Sequence, residues 1–292
     1  MNGTTRISLL AFGASLVALA ACSDATSPTL GVSDAVISAD VASDAGDAAA
    51  STLDAMVSSE ALYNGDKASG AWIPTIGGED QGNAPVVAQS VLGSANTTCS
   101  GPDASGWFMC TADKENGLTV TRSIRFWDGT SFGLKFDGST DSVNHILGRA
   151  GTLTPSAAKT RWVNRTDTLT MVVTRASGNI VAARTWNGHG TRSDSSLVTD
   201  SLATRVYHYT AFDTVSAIVY FIPRSANPYP QSGTWSNSVT AVLRITRGTE
   251  TSTRTVTRNV AVTFNGTANV TLTVGGLTCA LNLATHAVTN CQ

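Results

Sequence analysis

Residues 259–274 read Asn259-Val-Ala-Val-Thr-Phe-Asn-Gly-Thr-Ala-Asn-Val-Thr-Leu-Thr-Val274, and this stretch decides the fold class. Val260, Val262 and Phe264 alternate with small or polar residues. Asn265-Gly266 then supplies the pair that a two-residue hairpin turn prefers, and Val270, Leu272 and Val274 resume the alternation. A period of two is the signature of a strand, because successive side chains point to opposite faces of a sheet. The stretch therefore predicts two antiparallel strands that share one apolar face.

The same pattern extends in both directions. Upstream it runs through Val239, Ala241, Leu243, Ile245 and Val256; downstream, Gly275-Gly276 turns the chain into Leu277, Cys279, Leu281 and Leu283. Nearer the N-terminus, Leu118, Val120, Ile124 and Phe126 alternate with Thr119, Thr121, Ser123, Arg125 and Trp127, interrupted only by Arg122. Asp128-Gly129 and Asp137-Gly138 read as turns flanking Phe132, Leu134 and Phe136. Leu169, Met171 and Val173, then Ser177-Gly178-Asn179, Ile180 to Trp186 and Leu202 to Phe212 continue the series. Ser216 to Ile222 is apolar at nearly every position, which predicts a strand covered on both faces.

About 11–13 strands in meander order, with no long helix between them, predict an antiparallel all-β domain over residues 99–292. Its outer face reads as Thr, Ser and Arg, and its inner face as apolar. That apolar face requires cover, by closure into a barrel, by folding into a sandwich, or by a curved sheet lying under a helix. The segments Trp127-Asp-Gly-Thr, Trp186-Asn-Gly-His-Gly-Thr and Phe264-Asn-Gly-Thr read as aromatic strand ends followed by turns, without the fixed period of a propeller.

Ahead of this domain the composition differs. Residues 22–39 are rich in Ser, Thr, Ala, Asp and Pro and read as a disordered tether; residues 40–98 form an acidic helix and loop region. Within it, Val41, Leu53, Met56, Val57 and Leu62 recur at roughly helical spacing, which predicts a helix near Asp47 to Tyr63. Gly65 marks its end and Gly46 weakens it. Trp72 predicts that part of the following loop rests on the domain, and Val86 to Leu92 is a candidate short helix.

Charge is placed unevenly. Ser23 to Gly101 holds ten acids and one base, Lys67, whereas Pro102 to the C-terminus holds seventeen bases and eleven acids. The asymmetry reads either as an acidic segment lying against a basic domain or as a solvated linker before an Arg-studded sheet, and the second reading is preferred. The bases are spread singly along strands, so no compact nucleic-acid patch is expected.

At the N-terminus, Arg6 precedes the apolar run Ile7 to Ala21, which ends in small residues and is shorter than the roughly 20 residues of a spanning helix. Leu19-Ala20-Ala21-Cys22 resembles the lipobox of bacterial lipoproteins. The resemblance implies that residues 1–21 are a signal peptide, and that Cys22 carries lipid and becomes the first residue of the mature chain. Ser23 following the cysteine implies outer-membrane delivery, facing the periplasm or the cell surface. An ordinary signal peptide, with Cys22 a bystander, is the plainer alternative.

Cys99, Cys110, Cys279 and Cys291 then remain, an even number in an exported chain, which predicts two disulfides. Three connectivities are possible and the spacing favours local pairing. Asp103-Ala104-Ser105-Gly106 centres a turn between Cys99 and Cys110. Cys279 and Cys291 are symmetric about Thr285, with Leu281 opposite Thr289. No Cys-x-x-Cys pair supports a zinc site.

Catalytic motifs are sparse. His145, His189, His208 and His286 are scattered, without a second ligand at metal spacing. Gly188-His189-Gly190-Thr191, followed by Asp194, Ser195 and Ser196, reads best as a polar hairpin loop. Asp128, Asp137, Asp141, Asp167 and Asp213 read as turn residues. No nucleophile elbow, zinc-binding helix or phosphate loop is present. The expected function is a lipid-anchored, non-enzymatic structural or protein-interaction domain, without cofactor, whose partners are the membrane through its lipid and an envelope protein. The alternative is an apolar-ligand or lipid carrier, since a helix followed by meandering strands is similar in layout to the LolA and LolB lipoprotein carriers. A hydrolase is the third reading.

Overall fold

The computed structural model describes residues 30–62, 99–115 and 117–292. The signal segment, Cys22, Trp72 and the candidate helix at Val86 to Leu92 lie outside the described residues. One helix, α1 (Asp34–Ala61), precedes β1 (Cys99–Ser100), β2 (Phe108–Glu115), β3 (Leu118–Trp127), β4 (Phe132–Gly133), β5 (Ser142–Ser156), β6 (Lys159–Arg175) and β7 (Val181–Thr199). There follow β8 (Thr204–Phe221), β9 (Ser232–Arg247), β10 (Glu250–Thr263), β11 (Asn269–Val274), β12 (Leu277–Asn282) and β13 (Val288–Thr289).

The thirteen strands form one antiparallel sheet in sequence order, apart from β4, which pairs with β3 off the main path. This is the expected meander. It is neither a sandwich, since there is one sheet, nor a closed barrel, since the path runs from β1 to β13 without joining them. The hairpin that decides the fold class forms, with Val262 opposite Leu272 and Val260 opposite Val274, although its connection is longer than a two-residue Asn265-Gly266 turn, which would set Val262 opposite Asn269.

An open sheet leaves two edges, and unpaired edges invite pairing with other chains. Here each edge is a two-residue strand fastened by a disulfide. Cys99 and Cys110 face each other across β1 and β2, and Cys279 of β12 joins Cys291 just beyond β13. The second hairpin is one residue out of the symmetric register, with Leu281 opposite Val288. Its turn is set by the Asn282 side chain, which accepts from the backbone N–H of Ala284 and Thr285, and by His286 at φ +59°.

α1 starts earlier than its sequence pattern suggests. Ser33 caps it, its Oγ accepting from Val36 N at 3.3 Å, so residues 34–39 are helix rather than tether. A short Ser- and Asp-rich segment has little intrinsic helicity, and tertiary contacts supply what propensity does not. Those contacts come from all sides. Side chains of α1 bond to Arg122 of β3, Arg149 of β5, Tyr207 of β8, Arg258 of β10 and His286 between β12 and β13. The sheet therefore curls around the helix. Small residues make this fit possible: Ala42, Ala45, Ala48 and Ala49 are fully buried, and at Gly46 a Cβ would collide with Val288, Leu281 and Leu272. The glycine that weakens the helix pattern is thus packed under side chains of β11, β12 and β13.

The inner face differs from expectation. Arg122, Arg149, Arg161, Arg165, Arg184, Arg192 and Arg205 point inward, none more than 4% exposed, whereas the outer face is mainly Thr and Ser. Asp167 and Asp213 are buried in mid-strand rather than beside turns; Asp128, Asp137 and Asp141 do sit at turns. The Gly188 to Thr191 segment and Trp186 lie inside β7, not in a loop or at a strand end. Ser216 to Ile222 alternates instead of being covered on both faces. The register slips between Ser216 and Val219, with Ala217 at φ +49°, so Ile218 is buried while Phe221 is 47% exposed. Phe132 to Phe136 yields only the two residues of β4, and Leu134 is exposed.

Candidate functional site

The functional candidate with the most chemistry is the charged interface between α1 and the inner face of the sheet. It is built as a ladder. Asp40 accepts from Arg205 Nε at 2.7 Å and Tyr207 Oη at 2.6 Å. Asp44 lies 2.7 Å from Lys159 Nζ and 3.1 Å from Arg161 Nε, and also accepts from Ser196 Oγ. Asp47 pairs with Arg161 and, at 3.1 Å, with His286 Nδ1, whose Nε2 lies 3.0 Å from Asp54. Near the C-terminal end of the helix, Glu60 accepts from Arg184 at 2.9 Å and from Trp186 Nε1 at 3.0 Å, with Arg224 at 3.6 Å. The preferred reading of the acidic segment as a solvated linker is thus corrected for α1: its carboxylates lie against the basic sheet.

Ionisation follows from these pairings. Burial works to raise the Asp44 carboxyl, but Arg161 and Lys159 outweigh it and hold the group below its ordinary value. Asp47 is likewise lowered against its burial, by the His286 hydrogen bond and Arg161. Burial works to lower the His286 imidazolium, yet hydrogen bonds to Asp47 and Asp54 lift it to about 9.

In a second set the paired acids as well as the bases come from the sheet, although Arg149 also donates to Thr52 of α1. Arg149, Arg165 and Arg192 stand directly opposite one another across β5, β6 and β7. Like charges in one row repel, and the neighbouring acids answer them. Asp167 pairs with Arg149, and Asp194 accepts from Arg165 Nε at 2.8 Å and from Asn164 N at 2.9 Å. Arg192 lies 3.9 Å from both Asp194 and Asp213 and 5.9 Å from the Tyr209 ring centroid. Gly190, between Asp167 and Asp213 in the same row, must lack a side chain, since a Cβ there would strike the Asp167 carboxylate. Burial pushes the Asp213 carboxyl up to about 6, only partly offset by Arg192 and Arg165.

The residues singled out from sequence do not converge. His145 is buried 4.8 Å from the Trp186 ring, its pKa pushed down to about 3 by burial and Arg122. His189 stacks on Phe212 at 5.7 Å. Ser195 Oγ and His208 Nδ1 are hydrogen-bonded at 2.9 Å on the outer face. That pair resembles part of a catalytic dyad. It lies on a convex sheet surface, where neighbouring backbone N–H groups serve the ladder rather than an oxyanion. Among the described residues, no group of three or more His, Cys, Asp or Glu is arranged to hold a metal ion. An open depression of about 400 Å³, lined by residues including Arg258, Asn259 and Gly275, contains Arg258 as its single charged side chain. The four described cysteines sit at opposite edges of the sheet, as the local disulfides Cys99–Cys110 and Cys279–Cys291.

The interface therefore holds a helix in place; its acids and bases are engaged with one another. No helix among the described residues is long and apolar enough to cross a membrane. Comparison with protein-family models, curated proteins and solved structures gave no match to the chain.

Proposed function

We propose that the chain is a lipid-anchored lipoprotein of the bacterial cell envelope, held through Cys22 in the outer membrane. Its β domain is a non-enzymatic structural or protein-interaction module. The observation that carries the second half is the occupation of the sheet's concave side by α1. A ligand or substrate in a curved sheet would ordinarily lie there, and here the space holds the chain's own helix, bound by Asp40, Asp44, Asp47, Asp54 and Glu60. The outer face and the loops remain for contact with a partner. A carrier built on this frame would have to expel α1 before loading, unpairing several buried arginines at once, which argues for the module over the carrier.

The test of the anchor is the mass of the N-terminal peptide after expression with the native signal in a bacterial host. Thioether-linked diacylglycerol on Cys22 and membrane fractionation are expected, with Cys22→Ser giving soluble, disulfide-bonded protein. An unmodified Cys22 overturns the anchor. Lipid recovered in stoichiometric amount by organic extraction of the purified Cys22→Ser protein would replace the module with the carrier.

A further inference from the structure

The domain has two unlike ends. α1 enters at the end formed by the β5–β6, β7–β8 and β9–β10 turns: Asp34, its first residue, pairs with Arg254 at 2.6 Å and lies 3.9 Å from Arg258. Gly31, just ahead of the helix, lies so close to Arg247 that a Cβ would sit 3.0 Å from the guanidinium. The described chain thus begins beside Arg247. At this end Arg244 and Arg247 are exposed and the Arg254 side chain is 37% exposed. The acids near them are Glu250, Asp34 and Asp200, and Asp200 is held by Arg205 at 2.8 Å. Leu202, 42% exposed, projects from the neighbouring β7–β8 turn. The opposite end carries Asp103, Asp128, Asp137 and Asp141 in its turns, with Lys135 paired to Asp137 and Arg175 3.7 Å from Asp141.

We propose that the β9–β10 hairpin end is a docking surface for anionic lipid headgroups, with Arg244, Arg247 and Arg254 meeting their phosphates. The proposal rests on the anchor reading of Cys22. Eight residue steps separate Cys22 from Leu30, so even a fully extended connection spans at most about 29 Å. The end of the domain that cannot leave the neighbourhood of the bilayer is also the end that exposes Arg244, Arg247 and part of Arg254, with the positive pole of α1 behind it. Attraction between arginines and an anionic bilayer acts within about a Debye length, roughly 8 Å at physiological salt, so it operates once the tether has brought the hairpin down. Each arginine near such a surface strengthens binding by about fivefold. The acidic turns are thereby directed away from the membrane.

The test uses the mature chain carrying Cys22→Ser, so that binding reports the protein surface and not the lipid. Sedimentation with vesicles of phosphatidylcholine, with and without one third phosphatidylglycerol, is measured at low and high salt. Binding is expected to the phosphatidylglycerol vesicles only, to fall with salt, and to resist millimolar inorganic phosphate. Arg244→Gln and Arg247→Gln, which remove exposed side chains and leave the helix pairs intact, should each weaken it by about fivefold. Lys135→Gln, at the far end, should leave it within twofold. Equal binding to both vesicles, or equal loss in Lys135→Gln and the hairpin variants, overturns the proposal. Displacement by inorganic phosphate would reassign the site to the free anion, which also overturns it. The mass of the N-terminal peptide reports the anchor separately, so the two failures are distinguishable.

Discussion

Glu60 of α1 and Arg184 of β7 lie 2.9 Å apart, with 3% and 1% of their side chains exposed. This pair fastens the C-terminal end of the helix to the centre of the sheet, 124 residues away in sequence. Removing one partner of a buried pair strands the other charge, at a cost of about 3–5 kcal/mol. Glu60→Ala should therefore lower the urea midpoint by that amount of stability and loosen α1, measured as faster amide exchange in residues 50–62. The double variant Glu60→Leu/Arg184→Met, which replaces the pair with apolar volume, should recover most of the loss. A double variant no more stable than Glu60→Ala would show that the pair is not the fastening.

His286 makes the stability depend on pH in a definite direction. Its pKa is raised to about 9 by Asp47 and Asp54, above an unfolded value near 6.5. A raised imidazolium stabilises the fold fully below about pH 6.5, and that contribution is lost as the pH climbs through 9. Urea midpoints should thus fall between pH 6.5 and 9, and His286→Gln should flatten this limb. Asp47, being lowered, acts at the other extreme, where its contribution is lost on acidification below the ordinary carboxylate range. An NMR titration placing His286 near 6.5 would remove the basis for the alkaline limb.

The meander was legible because turns and alternation are local. Asn265-Gly266, Ser177-Gly178-Asn179 and Gly275-Gly276 each join the neighbouring strands they were expected to join. The buried arginines were not legible from residue type alone, since arginine is rarely buried unless paired, and the partners lie on neighbouring strands or up to 165 residues away on α1. A signal was nevertheless present. Arg161, Val163, Arg165, Asp167, Leu169 and Met171 share one strand parity, so the apolar face carries the charges with it. Likewise Asp40, Asp44, Asp47 and Asp54 recur at steps of four, three and seven, one face of a helix that the hydrophobic pattern places too late. Parity read together with charge, rather than hydrophobicity alone, would have paired helix and sheet.

The disulfides should act on the edges rather than on the core. Cys99–Cys110 and Cys279–Cys291 each close a short loop, with sequence separations of 11 and 12, worth about 3 kcal/mol apiece through the unfolded chain. Cys99→Ala/Cys110→Ala should lose about that much stability while keeping the far-ultraviolet spectrum of the sheet. It should also aggregate sooner on concentration, because the β1 and β2 edge frays. Light scattering unchanged from the parent would separate the stabilising role from the edge-protecting one and leave only the first.

Asp194 and Asp213 offer a comparison within one network. Both are buried, but Asp194 is hydrogen-bonded to Arg165 and to the Asn164 backbone, whereas Asp213 stands 3.9 Å from its nearest cation and leans on Asn237. Burial holds the Asp213 pKa at about 6, above an unfolded value near 3.9, so folding favours its protonated form. Its ionisation therefore subtracts stability as the pH rises from about 3.9 to 6, the opposite sense to Asp47. Asp213→Asn, which keeps the shape and removes the charge, should change stability at pH 7 by less than about 1 kcal/mol, or raise it. Asp194→Asn should lose about 3–5 kcal/mol, since it leaves the Arg165 guanidinium buried without its counter-charge. Thermal melts of the two variants at pH 5 and pH 7 decide the matter. The Asp213→Asn difference from the parent should shift in its favour at the higher pH, and an equal loss from both variants would mean that Asp213 is as firmly paired as Asp194.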